Sequence, residues 1–83
     1  MAEEPIASDL TLDCRKMLCP MPVYKASQAL ARMTSGQVLR LLCTDPGSLR
    51  DFPAFARQTG HELLDTRLED GVHVFYVRKS GTR

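Results

Sequence analysis

Aromatic side chains are scarce in this sequence. Tryptophan is absent, and three Phe and two Tyr supply only 6% of the 83 residues. An excess of charge of either sign is missing too: eleven Lys and Arg stand against ten Asp and Glu, for a formal net charge of +1. Proteins that grip nucleic acid present a basic face, commonly with aromatic platforms. Direct nucleic-acid binding is therefore not expected. No apolar run approaches the roughly 20 residues of a membrane-spanning helix. The start carries Glu3, Glu4 and Asp9 and lacks the basic and apolar pattern of a secretion signal. These absences point to a cytoplasmic protein with no membrane partner. The three cysteines are an odd number and do not space as a disulfide framework, so each is read as a thiol. Length is the last shortage. A chain of 83 residues makes one domain and buries too little surface to enclose a deep substrate pocket.

What is present reads as an ordinary globular domain, with 43% hydrophobic and 25% charged residues. The domain spans 1–83, with a core at about 9–79 and frayed ends at Met1–Ser8 and Ser80–Arg83. Asp9 to Asp13 alternates polar and apolar, which predicts a short strand with Leu10 and Leu12 inward. From Pro20 the period turns helical, with Val23, Ala26, Leu30 and Met33 on one face. Thr34-Ser35-Gly36 ends this helix, and Gly36 suits a left-handed position at its C-terminus. Val38 to Cys43 is a central strand. A second helix is expected from about Ser48 to Thr59, opened by a capping box of Ser48 and Asp51. Pro53 argues for a regular helix that begins nearer Asp51. Leu49, Phe52, Phe55 and Ala56 form its apolar stripe, and Gly60 closes it. His61 to Leu68 and Val72 to Arg78 form a hairpin around Asp70-Gly71, a tight-turn pair. Val72, Val74 and Tyr76 share one face of the last strand, and Phe75 and Val77 the other.

The order is strand, helix, strand, helix, strand, strand. Right-handed crossovers place both helices on one side. The predicted fold is a two-layer α/β sandwich of βαβαββ order, a four-stranded mixed sheet with two helices packed on one face.

Cys19 is the residue that points to chemistry. It precedes Pro20 and a helical pattern, and proline is favoured at the first helical position. Cys19 then becomes the N-cap. There a thiolate meets free backbone amides and the positive end of the helix dipole, which lower a cysteine pKa. Pro22 stiffens the same turn. A rigid collar around one thiol suits a nucleophile that repeatedly accepts and releases a group.

The stretch Leu12-Asp13-Cys14-Arg15-Lys16-Met17-Leu18-Cys19-Pro20-Met21-Pro22 resembles the signature of the TusA (SirA-like) family of sulfur-carrier proteins: a Leu-Asp, then Cys-Pro-x-Pro opening the first helix. Asp45-Pro46-Gly47-Ser48, the continuation Arg50-Asp51-Phe52-Pro53-Ala54-Phe55, Gly60-His61-Glu62-Leu63 and Tyr76-Val77-Arg78-Lys79 extend the likeness over roughly Leu10 to Lys79. The resemblance implies the same βαβαββ sandwich and a sulfurtransferase that carries sulfane sulfur as a persulfide on Cys19. It implies a cysteine desulfurase or a rhodanese as sulfur donor, and a protein as acceptor. It places such carriers in tRNA thiolation, in sulfur oxidation or in molybdenum-cofactor enzymes. Neither a cofactor nor an oligomer is called for, and a monomer is expected.

Two positions depart from the family pattern. Lys16 stands where the family usually has Gly, so a positive φ there would strain the chain. Leu18 stands where many members have a basic or polar residue, and Lys16 or Arg15 is then the candidate source of positive charge. Cys14 has two readings: a second thiol able to pair with Cys19 in a thiol–disulfide redox or regulatory protein, or a small side chain in the scaffold, which is preferred. Cys43 reads as a buried small hydrophobe. Asp45 and Arg50 are expected at the Cys19 end of the sheet, as partner contacts or polar neighbours of the sulfur. An Asx-turn before Pro46 is the simpler role for Asp45. His61 and His73 read as solvent-facing strand residues, and with the scattered cysteines they show no zinc-ligand spacing.

Overall fold

The chain is described by a computed structural model covering residues 6–80. Most of the two ends expected to fray lie outside the described residues. The elements are β1 (Leu10–Cys14), α1 (Met21–Arg32), β2 (Val38–Cys43), α2 (Ser48–Thr59), β3 (Glu62–Glu69) and β4 (Val72–Arg78). They form one sheet in the order β1-β2-β4-β3. β1 runs parallel to β2, while β4 runs antiparallel to both β2 and β3. The α1 crossover accounts for the parallel β1–β2 pairing, the hairpin for the antiparallel β3–β4 one, and β4 then inserts between β3 and β2. This is the βαβαββ sandwich read from the sequence.

The core lies between sheet and helices. Leu39, Leu41 and Cys43 alternate inward along β2, and Phe75 and Val77 along β4. Ala26 and Leu30 from α1 and Phe52 and Phe55 from α2 cover them. Phe52 stacks on Phe75 with ring centroids 4.7 Å apart and meets Phe55 edge-on at 6.2 Å. Val74 and Tyr76 face the other way, as their alternation requires, yet are also buried. The Arg67 guanidinium lies 5.2 Å from the Tyr76 ring centroid and helps shield that side.

The turn glycines behave as read. Gly60 caps α2 at φ 84° and donates its N–H to the Ala56 carbonyl. Asp70 (φ 51°) and Gly71 (φ 79°) make the two-residue hairpin turn, both left-handed as that turn demands. Gly36 is left-handed at φ 91°, but α1 ends earlier, capped by an extended Met33.

Four expectations on the scaffold change. Leu10 faces the helix layer with Leu12 but stays exposed, because β1 is an edge strand and Leu10 lines a shallow groove beside Arg32 and Met33. Leu49 is exposed as well: the buried positions of α2 are Ser48, Phe52 and Phe55, and Leu49 is out of phase with them. The helix runs regularly from Ser48 despite Pro53. The hydrogen bond Pro53 forgoes is to the carbonyl of the exposed Leu49, which solvent can serve. The histidines are half-buried, not solvent-facing. His61 packs 6.0 Å from the Phe55 ring and accepts the Ser80 N–H through Nδ1, while His73 shares the face of Phe75.

Candidate thiol site at the helix starts

β1 and β2 end side by side at Cys14 and Cys43, which are paired in the register. From these two ends the chain enters α1 through residues 15–20 and α2 through residues 44–47. Both helices therefore start at one edge of the sheet, and Cys19 lies between them.

Cys19 is not the N-cap of α1. Pro20 takes that position, with no side-chain cap, and Pro22 is the second helical residue. The reason is visible in the hydrogen bonds. Met21 N–H donates to the Leu18 carbonyl at 2.8 Å, closing a turn around Cys19, and the Cys19–Pro20 bond in that turn is cis. Val23 and Tyr24 N–H groups both donate to the Pro20 carbonyl, and Pro20 and Pro22 have no N–H. The first turn thus keeps no free amide for a thiolate. The expected amide collar, and the lowered pKa it would give, are not found.

The contacts of Cys19 come instead from the α2 side. Its N–H donates to Asp45 Oδ2 at 2.7 Å, and its Sγ–H donates to Asp51 Oδ2. Asp45 Oδ1 accepts the Gly47 N–H at 3.2 Å. Asp45 therefore makes the Asx-turn before Pro46 and also holds Cys19; the two N–H bonds keep its carboxyl below the usual range. Asp51 is consequently not half of a capping box: the N-cap of α2 is Gly47, and Ser48 Oγ donates back to the Asp45 carbonyl. The Asp51 hydrogen bond first, then burial and the charges of Asp51 and Asp45, raise the Cys19 thiol pKa; Arg50 opposes them weakly. Arg50 is exposed, with Nε 3.7 Å from Asp51 Oδ1.

Gly47 leaves room for the cysteine. A Cβ there would stand 3.3 Å from Cys19 Cβ. Lys16 adopts the left-handed conformation at φ 69° that its glycine-like position implied, and its N–H donates to Thr44 Oγ1 at 2.8 Å. Arg15 is engaged elsewhere. Its guanidinium forks onto Asp13 at 2.9 Å and pulls that carboxyl down to about 2. Cys14 and Cys43 are fully buried, and each is the other's thiol neighbour. Desolvation pushes Cys43 up to about 12. Among the three free cysteines only Cys19 is not buried. No group of three metal-ligating side chains occurs among the described residues.

Sequence reasoning missed Asp51 as a partner of the thiol. The signal was the Arg50-Asp51-Phe52-Pro53 stretch itself, but the capping-box spacing from Ser48 gave Asp51 a simpler use. The exposed apolar side chains at the same edge were not foreseen, and Leu49 was expected to be buried. Leu18, Met21, Tyr24 and Leu49 all stand out from the two helix starts.

A βαβαββ sandwich that holds one cysteine outside its core, on a Cys-Pro-x-Pro turn, fits the class of small thiol carriers. The family described as "Sulfurtransferase TusA" matches residues 10–79. A sulfur carrier protein TusA from Allochromatium vinosum is 47% identical over 72 residues, spanning 87% of this chain and 95% of that protein. One from Pseudomonas entomophila is 38% identical over 71 residues, covering 86% and 89%. The crystal structure of the SirA-like protein from Desulfitobacterium hafniense superposes with a TM-score of 0.78 at 25% identity, over 88% of this chain and all of that one. The chain belongs to the TusA family of sulfur carrier proteins.

Proposed function

We propose that Cys19 receives a sulfane sulfur as a persulfide from a donor protein, a cysteine desulfurase or a rhodanese, and relays it to an acceptor protein. The Cys19 sulfur attacks the outer sulfur of the donor persulfide and the donor thiolate leaves. Hand-off repeats the exchange with the roles reversed. The acceptor lies in tRNA thiolation, sulfur oxidation or cofactor sulfuration, and the carrier works as a cytoplasmic monomer.

The observation that carries this reading is the position of Cys19. It is the one cysteine outside the core, at an edge where Leu18 is 74% exposed and Met21, Tyr24 and Leu49 are each about half exposed. Exposed apolar side chains gathered around a reactive group mark a surface that another protein covers. A carrier needs no deep pocket, because the partner's active site supplies it. The alternative thiol–disulfide reading needs Cys14 to meet Cys19. Cys14 is instead buried at the end of β1, opposite Cys43.

Intact mass spectrometry tests the proposal, after incubation with a cysteine desulfurase and cysteine, or with a rhodanese and thiosulfate. Wild type, Cys14→Ala and Cys43→Ala gain the mass of one sulfur atom, removable by dithiothreitol, and Cys19→Ser gains none. Absence of the adduct with both donors, or its persistence in Cys19→Ser, refutes it. An oxidised species that needs both Cys14 and Cys19 favours the redox reading.

A further inference from the structure

The thiol that this reading makes the sulfur acceptor is tied to a carboxylate. Cys19 Sγ donates to Asp51 Oδ2, and Asp51 is four-fifths withdrawn from solvent, in the first turn of α2. Nothing in the fold of α2 requires this contact. The helix is closed at its start by the Asp45 turn, where the Ser48 and Gly47 N–H groups find their acceptors. A carboxylate beside a thiol is also opposite to what a permanently activated nucleophile needs.

We propose that Asp51 is the positioning residue for Cys19: it anchors the empty carrier's Sγ as a hydrogen-bonded thiol and restrains its nucleophilicity until a docked partner engages the Asp51 carboxylate. The proposal rests on Cys19 as the sulfur acceptor. The charged groups facing the sulfur are few. α2 contributes Asp51 and Arg50, and the loop before it contributes Asp45. The first turn of α1 has no acidic residue. The two carboxylates outweigh the one guanidinium, and that guanidinium is exposed and screened. A small electrophile or oxidant therefore meets a thiol, not a thiolate, in the free carrier.

Sulfur uptake then has a defined sequence. A partner's cation or hydrogen-bond donor takes the Asp51 carboxylate. The Cys19 proton is released and the new Sγ–S bond forms as the donor's S–S bond breaks. The released proton ends on the departing donor thiol, so that thiol plus persulfide gives persulfide plus thiol with no oxidant consumed.

The test is the pH profile of Cys19 alkylation by iodoacetamide, with the site read by peptide mass. In the wild type the midpoint lies above the ordinary cysteine range. Asp51→Asn keeps the shape and removes the charge. It moves the midpoint down and raises the rate at pH 7 about three- to tenfold. Asp51→Glu restores a profile near that of the wild type. Asp51→Ser is a second neutral variant, and circular dichroism confirms the fold of each. A role confined to holding the fold would change the melting temperature and leave the midpoint in place. Coincident profiles for wild type and Asp51→Asn overturn the proposal. A wild-type midpoint at or below the ordinary range overturns it without any variant. Sulfur loading from a desulfurase is measured in parallel. Loading by wild type with no Asp51 effect on alkylation removes Asp51 alone. An Asp51-dependent profile with no loading from any donor removes the carrier role alone.

Discussion

Gly47→Ala separates the geometry of the thiol from the stability of the fold. Gly47 has φ −59° and ψ −24°, helical values that alanine adopts without strain. Replacing glycine where the backbone already suits alanine stabilises by about 0.4–1 kcal/mol, through the unfolded chain. Against this, the new Cβ stands 3.3 Å from Cys19 Cβ, with Asp45 Oδ2 at 3.5 Å. Relief requires a shift of a few tenths of an ångström. Cys19 is poorly placed to give, since its N–H is held by Asp45, its Sγ by Asp51 and its carbonyl side by Pro20. The strain therefore falls on the cysteine, while the buried core is untouched. The expected variant unfolds within about 1 kcal/mol of wild type. Misplacement of a reacting atom by 1 Å can cost about a hundredfold in rate, so a few tenths should slow persulfide loading about three- to tenfold. Urea titration gives the first quantity, and single-turnover loading followed by quenched intact mass gives the second. Loading at the wild-type rate refutes the view that Gly47 is small to seat Cys19. A stability loss above about 2 kcal/mol shows that the clash reaches the core and refutes the proposed separation.

Phe52→Ala removes a fully buried ring packed between Phe55 and Phe75, and urea unfolding should show a loss of about 3–5 kcal/mol. Lys16→Gly relieves the left-handed strain at φ 69°, and its melting curve should show a gain of about 0.5–1 kcal/mol, net of glycine's extra chain entropy. The Cys43 thiol is raised by burial to about 12 in the folded state, against an ordinary value of 9.0. Its contribution is fully present below pH 9 and is lost as pH rises toward 12, because the unfolded chain releases that proton first. Urea midpoints should therefore fall less steeply over this window in Cys43→Ala than in wild type.

Where a local preference had no competitor, the scaffold could be read directly. Asp70-Gly71 sits between two alternating strands, and nothing else in the chain wants those residues. Gly60 likewise ends α2 because a left-handed cap there meets no rival use. The inward residues of β2 and β4 follow from alternation, since each of these strands has a neighbour on both sides. Leu10 has not, and alternation alone could not tell that an edge strand leaves its first apolar residue half open. Lys16 was the reverse case. A positive φ was inferable only from the family's glycine, because lysine itself argues against it.

The site failed to be legible where two principles competed for the same atoms. Pro after Cys19 implied that the cysteine caps a helix, and a cap implies free amides. Proline, however, also removes amides, and here two prolines within three residues leave Met21 as the first donor, which the Leu18 carbonyl takes. The thiol is left to find a partner across the gap between the helix starts. Asp51 could fill it only because Asp45 and Ser48 had already closed the start of α2. The identity of the thiol's neighbour was thus decided by hydrogen-bond satisfaction in a loop 26 residues away from Cys19. For a carrier this has a chemical consequence. A cysteine activated by helix amides would be a thiolate in every encounter, open to any electrophile. One restrained by a carboxylate is spent only where another protein answers that carboxylate, so selectivity can reside in the docking step and not in a pocket this small domain cannot build.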